Sequence, residues 1–384
     1  MKILCIVGFN SVDSNTLMNT TIFYGLKRNG YILNLVTLKP EKISKTYHSK
    51  IQQYFDRIFY INDRRKINKR IQNSIVRMPY LLWINIVRDW FIKPYNKEEL
   101  DIEDKTYDLI LSFVPPSLSA FLANDIIKKN RLDKLKHIQY WSDPLSIGMC
   151  DDINKIPIKR VLHRMVETRL LKYATEIIYC TPKLCELQKQ LYPQYAKKMR
   201  WTDVSFIERK SSNYMCNLDG KIKIGYFGAF QKKVRNIIPL LLSMPSFPEI
   251  QFVVRGDTDI DISNYLSSNL DILLGRVPYE DIAKLENECD ILVCLGNIQG
   301  VQIPGKTFYY TNMNKPIIYI GDGYHNSSIS GYIKQFNRHI ICSNNEDSIR
   351  QAISEAIAVL PNFSLIIPER MKPEIVAKRI VLNQ

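Results

Sequence analysis

The chain has 384 residues, of which 46% are hydrophobic and 24% charged, and a formal net charge of +15. That length exceeds what one hydrophobic core usually sustains and suits two domains; the composition excludes intrinsic disorder and a disulfide scaffold. Residues 1 to 200 hold 34 Lys and Arg against 19 Asp and Glu, whereas the remainder holds 19 against 19. The cationic excess, suited to phosphates, anionic lipid or nucleic acid, therefore lies wholly in the first half.

Met1 to Gly8 reads as a first strand, too short in its apolar run for a signal peptide and without a small-residue cleavage site. Asn10 and Ser11 follow it, then a helical pattern from about 14 to 29, the order of strand, loop and helix found in ligand-binding crevices. Further strands are expected near 31 to 37, 107 to 113, 137 to 142 and 175 to 181, the rhythm of a parallel sheet covered on both faces.

The stretch from 40 to 100 breaks this series. Arg64, Arg65, Lys66, Lys69, Arg70 and Arg77 lead into Tyr80, Leu81, Leu82, Trp83, Trp90 and Phe91. Cations beside interfacial aromatics fit an anionic membrane surface; a helical insertion with a solvated basic face is the alternative. The apolar run from 78 to 92 is interrupted by Asn85, Arg88 and Asp89 and is too short to span a bilayer.

Residues 206 to 220 lack periodicity and read as a linker between a first domain over 1 to 205 and a second over 221 to 365, with a C-terminal helix over 366 to 384. In the second domain strands are expected near 222 to 228, 250 to 255, 271 to 274, 290 to 295, 316 to 320 and 339 to 342. Helices are expected near 235 to 243, 279 to 288, 306 to 313 and 346 to 359. The fold class is α/β, two doubly wound domains in tandem. The eight cysteines, Cys5, Cys150, Cys180, Cys185, Cys216, Cys289, Cys294 and Cys342, lack metal-knuckle spacing and read as reduced core residues of a cytoplasmic protein.

Gly300-Val301-Gln302-Ile303-Pro304-Gly305-Lys306-Thr307 satisfies the pattern of a nucleotide-binding P-loop. Its context does not. The stretch between the preceding strand and Gly300 is too long for the usual tight turn, too little chain follows, and Pro304 removes a backbone donor.

The same residues, continued through Phe308-Tyr309-Tyr310 and Asn314-Lys315-Pro316-Ile317-Ile318, resemble the donor motif of the large retaining GT-B glycosyltransferase family. Gly225-Tyr226-Phe227-Gly228 followed by Lys232, Lys233 and Arg235 resembles that family's phosphate-approaching loop. Gly275-Arg276-Val277-Pro278 resembles its base-reading segment, and His137 to Pro144 a segment lining the cleft. The resemblance implies a GT-B architecture, two Rossmann-like domains facing across a cleft. It implies transfer of a sugar from a UDP- or GDP-sugar to a glycan or lipid-linked acceptor, as in capsule, lipopolysaccharide or exopolysaccharide synthesis. It further implies retention of anomeric configuration, with no metal and no cofactor beyond the donor.

By that resemblance Lys306 and Arg235 are the catalytic cations, stabilising the leaving diphosphate. Gly228, Lys233, Arg276, Val277, Gln302, Pro304, Gly305, Thr307 and Tyr309 hold the donor, and Asn10, Ser11 and Asp143 the acceptor. Pro304 would start a helix whose free N–H groups meet phosphate. Each has a plainer reading: Lys233 and Arg235 as surface charges, Asn10 and Ser11 as helix caps, Asp143 as a turn residue. His137 and His163 are read as structural. The family's paired glutamates fall at Val301 and Tyr309, so both carboxylates are absent. A sugar-nucleotide 2-epimerase of the same fold and a non-catalytic nucleotide- or glycan-binding relative therefore remain as alternatives. No nucleic-acid-binding module is present.

Overall fold

The computed structural model describes residues 1–8, 14–39, 51–62, 95–96, 98–102, 106–147, 157–206, 221–275 and 277–382. The chain divides into two compact units. The first comprises Met1–Gly148, Asp152–Ser205 and Pro373–Gln384, and the second Met149–Asp151 and Phe206–Lys372.

The first unit is built on a seven-stranded sheet. In chain order come β1 (Lys2–Val7), α1 (Ser14–Arg28), β2 (Ile32–Leu38), β3 (Arg57–Ile61), β4 (Leu109–Val114), α2 (Ser117–Asn130), β5 (Lys136–Trp141), α3 (Pro157–Lys172), β6 (Glu176–Tyr179), α4 (Pro182–Leu191) and β7 (Met199–Trp201). The strand order is β3-β2-β1-β4-β5-β6-β7, parallel throughout. All six residues of β4 are buried, as expected of a strand covered on both faces. On one face Leu4, Ile6, Val36 and Ile110 pack with Leu118, Leu122 and Ile126 of α2. Thr181 starts α4 by accepting the Leu184 N–H, with Pro182 at the first helical position.

One feature departs from the sequence reading. Arg57–Ile61, inside the stretch set apart from the series, is the edge strand β3, pairing with β2 from Asn34 to Leu38. Its charged and aromatic composition, half exposed at the edge, hid it from a pattern based on buried aliphatic runs. The basic and aromatic residues from Arg64 to Phe91 lie outside the described residues, as does the proposed linker apart from Phe206.

The second unit carries a six-stranded parallel sheet. Its elements are β8 (Lys223–Phe227), α5 (Ile238–Ser243), β9 (Gln251–Gly256), β10 (Leu270–Leu274), α6 (Tyr279–Glu288), β11 (Ile291–Leu295), α7 (Gly305–Tyr309), β12 (Ile317–Gly321), α8 (Asn326–Lys334), β13 (Ile340–Ser343) and α9 (Glu346–Val359). The order β10-β9-β8-β11-β12-β13 is the doubly wound Rossmann order. Ile224, Tyr226, Val254, Ile291, Val293 and Ile318 form its core with Leu240, Leu241, Ile349 and Ile353. Asn345 caps α9 by accepting the Ser348 N–H, and Glu346 and Asp347 in the first turn complement the helix dipole.

The final helix, α10 (Pro373–Leu382), belongs to the first unit. It packs on α1, where a Cβ at Gly25 would strike the Pro373 carbonyl, so glycine is required for that approach. Arg379 pairs at 2.8 Å with the fully buried Asp203, Arg200 donates to the Ile380 carbonyl at 2.8 Å, and Asn29 to the Glu374 carbonyl at 2.8 Å. No helix among the described residues is long and apolar enough to cross a membrane.

Candidate functional site

In the second unit, β8 and β11 are neighbours whose chains depart in opposite directions across the sheet. A crevice forms outside the carboxyl ends of strands at such a switch point. Gly228 follows β8 there. Its N–H donates to the Arg255 carbonyl at 2.9 Å, and a Cβ on Gly256 would run into the Gly228 carbonyl. The two glycines thus let the ends of β8 and β9 touch.

The loop after Gly228 is tied down at several points. Tyr226 Oη donates to the Ala229 carbonyl at 2.9 Å, the Phe230 N–H to the Asp257 carbonyl at 3.0 Å, and the Lys232 N–H to Asp259 at 2.8 Å. Lys232 and Lys233 are exposed, whereas the half-buried Arg235 folds back on the loop, its guanidinium donating to the Ala229 carbonyl at 3.3 Å. Arg235 Nε donates to Asn297 Oδ1 at 2.9 Å, and Asn297 Nδ2 in turn to the Gln302 carbonyl at 2.8 Å. Asn297, buried just beyond β11, is therefore the bracket between the loop after β8 and the donor motif. Its role was not read from the sequence, where it is a lone polar residue after a strand.

Lys306 lies at the same corner, its ammonium 5.5 Å from the Phe227 ring centroid and 5.6 Å from that of Tyr310. It is not a solitary cation. Lys306 Nζ donates at 2.5 Å to Oε1 of Glu286, a residue of α6 whose side chain is 1% exposed, and Tyr310 Oη donates to the same oxygen at 2.7 Å. Glu286 sits in Lys284-Leu285-Glu286-Asn287-Glu288, which reads as a solvated helix face; only the fold turns it inward. Cys294, at the end of β11, is fully buried beside Lys306, Glu286 and Arg235, and burial pushes its thiol up to about 12.

The other residues of this motif expected to hold the donor are buried or half-buried. The helix expected over 306 to 313 is shorter: α7 spans five residues and continues as a single 3-10 turn, Tyr310–Asn312, so its N-terminal dipole is small. Pro304 precedes it, and its carbonyl accepts the Thr307 N–H at 2.9 Å. Thr307 is fully buried, and its carbonyl faces His339 Nε2 at 2.9 Å. Tyr309 is also buried, its ring lying across Gly305, where a Cβ would come within 3.1 Å of it. Gln302 is buried, and Val277, half-buried, follows Gly275 in the loop after β10. Arg276 lies outside the described residues.

Two buried cations hold this region together, and neither was assigned from the sequence. Lys315 Nζ donates to the carbonyls of Glu286 and Asn287, each at 2.9 Å, and to that of Cys289, closing the C-terminus of α6. Arg338 donates to the carbonyls of Thr311 at 3.0 Å and Lys315 at 2.9 Å, and to that of Met313. Both complement the negative ends of short helices.

In the first unit, the equivalent switch point lies between β1 and β4. Gly8, beyond β1, donates its N–H to Ser119 Oγ at 2.8 Å; Asn10 and Ser11, which follow, lie outside the described residues. Asp143, half-buried, follows β5. The turn that carries it is held by Glu167 of α3, a fully buried carboxylate accepting the Leu145 and Ser146 N–H groups at 3.2 Å and the Tyr192 hydroxyl at 2.7 Å. Burial pushes the Glu167 carboxyl up, against the pull of those hydrogen bonds. His137 lies between Ser112 Oγ at 2.9 Å and the Tyr173 carbonyl at 3.3 Å, and His163 Nδ1 is 3.0 Å from the Leu145 carbonyl. Among the described residues no cluster of His, Cys, Asp or Glu is arranged to hold a metal ion.

No family model matches the chain, and no curated protein matches its sequence. Solved structures do. The UDP-GlcNAc 2-epimerase from Neisseria meningitidis bound to UDP-GlcNAc gives a TM-score of 0.54 at 12% identity, covering 100% of each chain. The E. coli trehalose-6-phosphate structure bound with UDP-2-fluoro glucose gives 0.53 at 10% identity, covering 100% of this chain and 96% of that one. The apo lipopolysaccharide outer core galactosyltransferase WaaB gives 0.51 at 11% identity, covering 100% and 99%. At these identities the likeness is one of fold. Two parallel sheets of Rossmann order, matched over the full length, give this chain the GT-B fold.

Proposed function

We propose that this GT-B chain is a glycosyltransferase that takes a UDP- or GDP-sugar at the carboxyl ends of β8 and β11 and passes the sugar to a glycan or lipid-linked acceptor. The observation that carries the reading is the convergence of Arg235 and Lys306 on one switch point beside the tightly packed backbone at Gly228. Two cations at such a crevice suit a diphosphate, whose charge grows as it leaves. Similar structures bind UDP-GlcNAc and UDP-2-fluoro glucose, which supports a nucleotide sugar as ligand.

In the proposed reaction the bond between the anomeric carbon and the diphosphate oxygen breaks, and a bond from the acceptor oxygen to that carbon forms. The acceptor proton passes to the departing phosphate, so no protein base is needed. Arg235, Lys306 and the exposed Lys233 take up the developing charge, which is the work a metal ion would otherwise do. Retention of configuration follows from the family resemblance. Asp143, with Asn10 and Ser11, is assigned to the acceptor, in a capsule, lipopolysaccharide or exopolysaccharide pathway at the cytoplasmic face of a membrane. Failure to co-float with anionic liposomes at low salt would remove the membrane element.

Incubation with labelled UDP- and GDP-sugars and an acceptor glycan tests the activity. Sugar on the acceptor supports transfer; an epimerised donor supports the 2-epimerase; binding without turnover supports a non-catalytic relative.

A further inference from the structure

The sugar-nucleotide reading treats Lys306 as a cation for phosphate, yet its ammonium rests on a buried carboxylate. Glu286 is 1% exposed and Lys306 33% exposed, so the pair reaches from the core to the edge of the crevice. The Tyr310 hydroxyl donates to the same carboxylate oxygen, and the Lys315 ammonium donates to the Glu286 carbonyl, fixing both ends of that residue. Phe227 and Tyr310 flank the ammonium with ring faces. The aromatic walls and the anchored carboxylate give Lys306 a defined resting place, with a third of its side chain still exposed.

Resting on the donor-site reading above, we propose that Glu286 is a positioning residue that competes with the donor diphosphate for Lys306, holding the ammonium when the site is empty and reclaiming it as the product nucleotide leaves. A diphosphate must draw the ammonium partly off Glu286, so binding energy is spent against that ion pair. The same competition speeds release of the nucleoside diphosphate. The device also answers the absence of the family's paired glutamates: the carboxylate that tunes this site comes from α6, not from the motif.

The test is titration of UDP and GDP into the full chain by calorimetry, with product inhibition measured in the transfer assay. Glu286→Gln keeps an oxygen for the Tyr310 hydroxyl and removes only the charge. It is expected to tighten nucleoside diphosphate binding by about tenfold, the scale for a half-buried pair, and to lower kcat through slow release. Tyr310→Phe leaves Glu286 a stronger partner for Lys306 and is expected to weaken binding by about threefold. In a Lys306→Met background the Glu286→Gln effect is expected to vanish.

A purely structural Glu286 would weaken binding in both single variants, with losses that track melting temperature; that result overturns the proposal. If Glu286→Gln does not fold, Tyr310→Phe decides: weaker binding at an unchanged melting temperature supports the proposal, and a loss that tracks melting temperature overturns it. Wild-type binding that falls in Lys306→Met but does not rise in Glu286→Gln sinks this inference and leaves the donor site standing. No binding of either nucleotide to wild type or Glu286→Gln removes the donor reading and this inference with it.

Discussion

Lys315→Met tests how far the motif residues are structural. The Lys315 side chain is 2% exposed and donates to three main-chain carbonyls at the end of α6, two of them at 2.9 Å. Hydrogen bonds to a charged group contribute about 1.5 to 3 kcal/mol each, but they are not additive, and removing the ammonium also relieves a desolvation cost of several kcal/mol. What persists is a set of stranded carbonyls at roughly 1 kcal/mol or more apiece, for a net loss of about 3 kcal/mol. For a unit of this size that lowers the melting temperature by roughly 6 to 12 °C. Thermal and urea unfolding, followed by circular dichroism, measure it. Because α6 carries Glu286, nucleotide affinity should change as well. A variant within about 1 kcal/mol of wild type would show that those carbonyls find water and that Lys315 is no helix cap.

Gly256→Ala drives a Cβ into the Gly228 carbonyl, so it is expected to cost about 2 kcal/mol or more by backbone displacement and to abolish nucleotide binding, both read by thermal shift with and without UDP. Gly25→Ala meets the Pro373 carbonyl in the same way; α10 should lift from α1 and become sensitive to limited proteolysis, while Glu286 and Lys306 keep their contact. His137 is buried and its pKa is lowered to about 4, because burial disfavours the imidazolium. The unfolded chain takes up that proton near pH 6.5 and the folded chain only near 4. Stability is therefore fully present above the upper value and is lost as pH falls through this window, by about 2 kcal/mol at pH 5. Denaturant unfolding of wild type against His137→Gln, which removes this slope, checks the sign.

Most of the strands were legible because buried parallel strands are rich in Val, Ile and Leu and bounded by turns, and β1, β4, β11 and β12 all have this form. What escaped has specific causes. Strand β3 is an edge strand with Arg57 and Tyr60 exposed, and β7 spans three residues, too few to show a period. The attachment of α10 to the first unit rests on contacts far apart in sequence, such as Arg379 meeting Asp203 across 176 positions and Pro373 meeting Gly25, which local patterning does not encode. At the candidate site Arg235 and Lys306 were singled out through the two segments that resemble the family's. Glu286 and Asn297 were not, and Lys315, though quoted within the motif, drew no role, because what sets each apart is burial and a distant partner that local patterning does not show.

The proposed transfer requires a nucleoside diphosphate seated at the carboxyl ends of β8 and β11. A crystal structure of the chain grown with UDP or GDP tests that directly. The phosphates are expected within hydrogen-bonding distance of the Arg235 guanidinium and the Lys306 ammonium, beside Gly228, with Lys306 drawn from Glu286. A nucleotide bound at any other edge of the sheet, with Arg235 still on Asn297 and Lys306 still on Glu286, would contradict it.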